Sequence, residues 1–236
     1  MDKDRFKEII NQNINQKLIK GIGTYQEKTL HKIIKNYYDD NPNNQEVKVD
    51  GFICDIVHND EIIEIQTRSF DKLRNKLDTL LLNHKVKIVY PIPYIKYLSW
   101  IDNGEIKSER KSPKKGSIYD IAKELYKIKT YLDNPNLKII ILLINLTEYR
   151  NLDGYSKDKK KGSSQYDRVP IELIDEIEIN DYRIFIPFDG EFTSIDYSKA
   201  TKENLSRSQT MLTILKYLNL IEVVRKEKRF NVYKKL

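Results

Sequence analysis

The chain has 236 residues, 39% of them hydrophobic and 33% charged, with only 8 Gly and 7 Pro; this suits one sizeable core plus a small second unit and excludes a disordered or low-complexity chain. A net charge of +7 and a pI near 9.1 favour a polyanionic partner, because clustered Lys and Arg release counterions when they neutralise phosphates. One cysteine, Cys54, excludes a disulfide framework and a cysteine-based zinc site; without an apolar run near the ~20 residues of a membrane span, or a signal-like stretch in residues 1–20, a cytoplasmic protein is expected.

Phe6, Ile9, Ile10, Ile14 and Leu18 fall at helical spacing in residues 4–19, and Gly21 and Gly23 stop that segment. Thr24 with Glu27 three residues on has the form of a capping box, and Leu30, Ile33, Ile34 and Tyr37 supply the apolar stripe of a second helix. A polar loop over 39–44 follows. From 47 to 67 the period changes to two, with Val49, Phe52, Ile53, Ile56 and Val57 before His58-Asn59-Asp60-Glu61 and Ile62, Ile63 and Ile65 after it, which predicts an antiparallel hairpin. Residues 70–82 return to helix, and 86–92 predict a short buried strand ended by Pro91 and Pro93. Helix, hairpin, helix, strand is an α/β order in which a helix crosses between strands that can lie parallel.

Farther on, Asn103-Gly104 centres a second hairpin over 97–108, a basic loop spans 110–115, and a helix is expected over 118–132. The run from Ile139 to Leu146 is apolar enough for a strand buried on both faces. Residues 153–168, rich in Lys, Gly and Ser, predict a loop. The final segment has two short helices with Met211, Leu212, Leu215 and Leu218 inward, then strand, charged turn and strand; it is expected to be a winged helix-turn-helix unit over 189–236, after a core over 1–188.

Asp55 lies on the first strand of the predicted hairpin; Glu64 and Gln66 lie on the second, two apart and therefore on one face. Carboxylates among apolar neighbours are costly unless a cation or solvent meets them, and an oxygen set of this kind suits Mg²⁺. Cys54 alternates with Asp55 and is expected in the core; His31, His58 and His84 are too dispersed to declare a metal cluster and are expected at the surface or its boundary.

Asp55, eight intervening residues and Glu64-Ile65-Gln66 resemble the PD-(D/E)XK nuclease superfamily, which includes restriction endonucleases and archaeal Holliday-junction resolvases. The resemblance covers about residues 24–92 and extends to the order of elements. It implies a restriction-endonuclease-like core with a mixed central sheet flanked by helices, Asp55 and Glu64 as Mg²⁺ ligands with Mn²⁺ as a substitute, and Glu27 as an acidic residue supplied by the preceding helix. Cys54 stands in place of the motif's Pro, and Gln66 in place of its Lys. A neutral amide cannot act as a general base, so Gln66 is expected to orient water or contact phosphate.

The function expected is a metal-dependent endonuclease acting on double-stranded DNA, in a homodimer. Arg68, Lys114, Lys115, Lys159, Lys160, Arg207, Arg225, Lys226, Lys228 and Arg229 are the expected DNA contacts. The alternatives are a DNA-binding regulator whose nuclease-like core has lost activity, and an RNA-directed nuclease.

Overall fold

A computed structural model describes residues 1–20, 29–102, 105–153 and 164–236, with side chains from 14 to 20 left aside. Helix α1 spans Lys3–Lys20 and α2 Thr29–Tyr38; the strands that follow are β1, Gln45–Val49, β2, Phe52–His58, and β3, Glu61–Ile65. Instead of one hairpin the segment is therefore a three-stranded meander, whose first turn is Asp50-Gly51 with positive φ at both residues. That Asp-Gly pair is a preferred two-residue hairpin turn and was the signal for β1.

A 3₁₀ turn over Phe70–Leu73 leads into α3, Arg74–Leu80, which crosses to β4, Lys85–Asp102; β4 lies parallel to β3. Strand β4 is 18 residues long and runs through the two prolines that were expected to end it. Its pairing explains why. Gln66 N–H donates to the Val89 carbonyl at 2.9 Å, so Val89, and by alternation Pro91 and Pro93, direct their backbone polar groups to the edge that β3 has just left. Proline's missing donor costs little where no strand waits to receive it. On the same strand, pairing with β5, Glu105–Lys111, occupies Tyr97 to Asp102; the turn at 103–104 lies outside the described residues. A gap therefore separates β3 from β5 along β4.

Strand β6, Leu137–Asn151, runs parallel to β4, and β7, Gln165–Ile179, runs antiparallel to β6. Among the described residues these make a seven-stranded mixed sheet in the order β1-β2-β3-β4-β6-β7, with β5 also on β4. The predicted loop over 153–168 thus ends earlier, at Gln165; acidic residues at Glu172, Asp175, Glu176 and Glu178 obscured the alternation of β7. The region expected as one helix over 118–132 is α4, Ala122–Lys127, flanked by two 3₁₀ turns.

Strand β6 is buried on both sides as expected: Ile139, Ile141 and Leu143 face one cluster, and Ile140, Leu142 and Ile144 the other. The second cluster lies under α1 and α2, with Phe6, Ile9, Ile33 and Ile34. The first lies under α3 and α4, with Cys54, Leu77, Leu80 and Leu125.

The chain ends with β8, Phe192–Thr193, α5, Ser194–Thr201, α6, Leu205–Tyr217, β9, Ile221–Glu227, and β10, Phe230–Lys235; the three strands form a sheet in the order β8-β10-β9. Asn204 caps α6, its side chain accepting from the Arg207 N–H. Phe192, Tyr197, Met211 and Leu215 join the same cluster as α3 and α4, so the hydrophobic interior is continuous across the expected boundary at 188/189. Among the described residues no helix is long and apolar enough to cross a membrane.

Candidate functional site

The carboxylates of Asp55 and Glu64 meet where the β2/β3 ladder gives way. Ile56 and Ile63 are paired residues, and beyond them side chains replace rungs: Asp55 Oδ2 accepts from Ile65 N–H at 2.7 Å, and Glu64 Oε1 accepts from Asp55 N–H at 3.4 Å. A splayed strand pair thus retains satisfied backbone donors by turning two carboxylates inward, which fixes both side chains.

Each carboxylate has a nitrogen partner from a different layer. His31 on α2 places Nε2 3.2 Å from Asp55 Oδ2, and Lys76 on α3 places Nζ 2.6 Å from Glu64 Oε1 and 2.6 Å from the Ile53 carbonyl. Burial, reinforced by the Asp55 charge and opposed by Lys76, pushes the Glu64 carboxyl up to about 7. Burial likewise pushes the Cys54 thiol up to about 11, which makes it an inert core residue as expected.

His31 is a half-buried boundary residue as expected, here paired with Asp55, whereas His58 and His84 pair with Asp39 and Asp50 at the surface. Lys76 was missed. Its position, three after Leu73 and four before Leu80 on the apolar side of α3, was the available signal. Gln66 is half-buried, and its side-chain amide has no hydrogen-bond partner among the described residues. Glu27 lies outside them.

The donor set fits a hard cation held by two carboxylates. Asp55 Oδ1 has no partner among the described residues, and Glu64 lies beside it with only one nearby cation, in the style of Mg²⁺ sites completed by water and substrate oxygens. Among the described residues no group of three or more His, Cys, Asp or Glu side chains could hold a metal by itself.

A second charged centre occupies the gap between β3 and β5. Arg68, Lys96, Lys114, Arg168 and Arg207 line a cavity of about 360 Å³ floored by Tyr90 and Pro91 to Pro93, with Asp120 as its carboxylate. Lys96, Arg150 and Arg168 converge behind it on Glu148, at 3.2, 2.5 and 3.4 Å. Although burial raises the Glu148 carboxyl, these cations together hold it below the usual carboxylate range.

Of the expected DNA contacts, Arg68 and Lys114 belong to this cavity, while Lys115 stacks its ammonium over Tyr94 at 4.2 Å. Arg207 also lines the cavity, 2.6 Å from Asp120 and paired with Glu203. Arg225 pairs with Glu191, and Lys226, Lys228 and Arg229 are exposed on the β9–β10 hairpin. Lys159 and Lys160 lie outside the described residues. The cavity itself was legible only in part. Glu148 continues the apolar alternation of Ile144 and Leu146, a buried anion that calls for cations, but nothing local indicates which ones.

Residues 28–180 match the family described as Domain of unknown function (DUF8091). A protein of Treponema pallidum (strain Nichols), named only as uncharacterized, is 36% identical over 154 residues, covering 64% of this chain. The matched region spans 58% of that relative's length. No solved structure matches the chain.

Proposed function

The chain belongs to the DUF8091 family, and we propose that it is a Mg²⁺-dependent DNA endonuclease with a restriction-endonuclease-like core and its active centre at Asp55 and Glu64. The observation that carries this reading is the cross-strand carboxylate pair at the splayed end of β2 and β3, set in the order α2-β1-β2-β3-α3-β4 with β3 parallel to β4. That order agrees with what the resemblance to the PD-(D/E)XK superfamily implies.

Asp55 and Glu64 would hold Mg²⁺, which supplies charge stabilisation at the scissile phosphate. The chain's own groups do the rest. Lys76 lies beside Glu64 as the cation that Gln66 no longer supplies, and favours the ionised carboxylate. His31 and the Ile65 N–H fix Asp55 Oδ2, and Oδ1 would serve as the metal ligand. Gln66, with its amide uncommitted, orients the attacking water.

The C-terminal unit acts as a winged helix that holds DNA. Ser206, Gln209, Thr213 and Lys216 form the exposed polar face of α6, and Lys226, Lys228 and Arg229 project from the hairpin. In this reading Glu64 must be ionised to take the metal, so the apparent affinity for Mg²⁺ rises with pH through about 7.

Gln66 and the engagement of both carboxylates with His31 and Lys76 favour a second reading, a DNA-binding regulator without activity. Purified full-length protein with plasmid DNA separates the two. Nicking or cutting in Mg²⁺ or Mn²⁺, abolished by EDTA and absent from Asp55→Ala, is the expected result; a gel shift without cutting supports the regulator. Single-stranded DNA and RNA offered in parallel test the choice of nucleic acid.

A further inference from the structure

The cavity between β3 and β5 is built to hold an anion and is separate from the Asp55–Glu64 pair. Its floor exists because the edge of β4 that β3 and β5 share carries no strand between Val89 and Tyr97, and its wall is a strap from Ser112 to Gly116 laid back on that strand. Ser112 N–H donates to the Lys96 carbonyl at 2.8 Å and Gly116 N–H to the Tyr94 carbonyl at 2.9 Å. Gly116 is required there, because a Cβ would lie 2.1 Å from the Pro93 carbonyl oxygen. The strap is therefore pinned to the sheet by backbone, and the cavity has fixed walls.

The charge is unbalanced. Five cations line the cavity against the single carboxylate of Asp120, which already accepts from Lys114 and Arg207. Arg68 has no charged partner among the described residues. The exposed guanidinium of Arg68 is matched by an oxygen-rich anion, whose several acceptors fit the guanidinium fork. A volume of about 360 Å³ lies at the small end of ligand pockets and suits a nucleotide-sized group with one end closed, rather than a running duplex.

We propose that this cavity is a binding site for the terminal phosphate of a nucleotide, with Arg68, Lys96, Arg168 and Arg207 around the phosphate and Lys114 at the rim. The phosphate can come from the 5′-phosphorylated end of a DNA strand or from a free mononucleotide. Binding of the phosphate does not rest on the nuclease reading, so it is measured in EDTA; a dead nuclease with a working pocket and a working nuclease without one are thereby distinguished.

The test uses the full chain at constant ionic strength. Calorimetric titration with inorganic phosphate and with dAMP is compared with titration by one duplex carrying either a 5′-phosphate or a 5′-hydroxyl. A preference of about tenfold for the 5′-phosphorylated duplex, the value of one charge-assisted contact, assigns the strand end. Saturable dAMP binding with no preference between duplexes assigns the free nucleotide. In either case Arg68→Ala and, separately, Lys114→Ala should weaken binding about tenfold or less while circular dichroism stays unchanged. Both side chains are exposed, so the fold does not rest on them. No binding of phosphate or dAMP together with equal affinity for both duplexes would overturn the proposal, as would both variants binding like the parent.

Discussion

Glu64 and Glu148 are glutamates on neighbouring parts of one sheet, 6% and 1% exposed, yet their carboxyls are shifted in opposite directions. Burial raises both. Glu64 has a second carboxylate beside it and one ammonium, so burial wins; Glu148 is encircled by Lys96, Arg150 and Arg168, so the cations win. The difference separates two uses of a buried charge. One site leaves an anion poorly compensated and available to an incoming cation, whereas the other over-compensates an anion and leaves cations available to an incoming anion.

The strongest way to break the comparison is to remove the under-compensated pair. Asp55→Ala and Glu64→Ala should each reduce Mg²⁺-dependent cleavage roughly a hundredfold or more, since a metal centre is worth several kcal/mol of transition-state stabilisation. Affinity for DNA, measured by gel shift in EDTA, should be kept or tightened because a negative charge near the phosphate is gone. Either variant cutting at the parent rate would end the assignment.

Glu148→Gln is expected to have the next largest effect, on stability. It leaves Lys96, Arg150 and Arg168 against a neutral amide, and breaking a buried ion cluster costs about 3 kcal/mol, which lowers the melting temperature by roughly 6–12 °C for a chain of this size. Unfolding at pH 7 checks it. A variant as stable as its parent would show that the cations are balanced by solvent and not by Glu148.

The pH dependence sharpens the contrast. Glu64 titrates near 7 in the fold and near 4.5 when unfolded, so the folded state holds the extra proton between those values; its contribution to stability is largest at low pH and declines as pH rises through about 7. Glu148 has the opposite sign: its contribution is present above the ordinary glutamate range and is lost as pH falls through its depressed folded value. Metal-free protein should therefore melt a few degrees higher, roughly, at pH 5.5 than at pH 8 through Glu64, and Glu64→Gln should flatten that slope. Lys76→Met removes the one cation lowering Glu64 and should move the pH profile of Mg²⁺ affinity to higher pH. An unchanged profile would remove Lys76 from the site.

Local patterns made much of this legible, but not the meeting of distant elements. Period two marked β2 and β3, a continuous apolar run marked β6, and two polar interruptions in apolar strands marked Asp55 and Glu64, because such patterns are local properties of the chain. The length of β4 was illegible: Pro91 and Pro93 read as stops unless one knows that β3 ends beside them. The basic cavity draws on residues from Arg68 to Arg207, which no spacing rule connects. The packing of the C-terminal unit onto the core was also illegible. Phe192, Tyr197 and Leu215 share the interior with Leu77 and Leu125, and Ser117 bonds Glu203 across the boundary, so deleting 190–236 should unfold more than it removes. DNA grip is better tested with surface charges.

The smallest expected effect concerns those charges, on the β9–β10 hairpin. Lys228 and Arg229 form its turn, with the Arg229 guanidinium 5.1 Å from the Phe230 ring centre, and Lys226 pairs in register with Asn231. All are exposed, so Lys226→Gln, Lys228→Gln and Arg229→Gln should each leave stability within about 0.5 kcal/mol of the parent. If each side chain neutralises one phosphate, each substitution lowers the slope of log affinity against log salt by about 0.9. Arg225→Gln should lower it less, because Arg225 is already paired with Glu191 and releases fewer counterions on binding. The graded result matters more than any single loss. Three equal steps and one smaller step would place the hairpin on the DNA backbone, and four variants with the parent's slope would remove it from the DNA interface and leave the exposed face of α6 to account for any binding by the C-terminal unit.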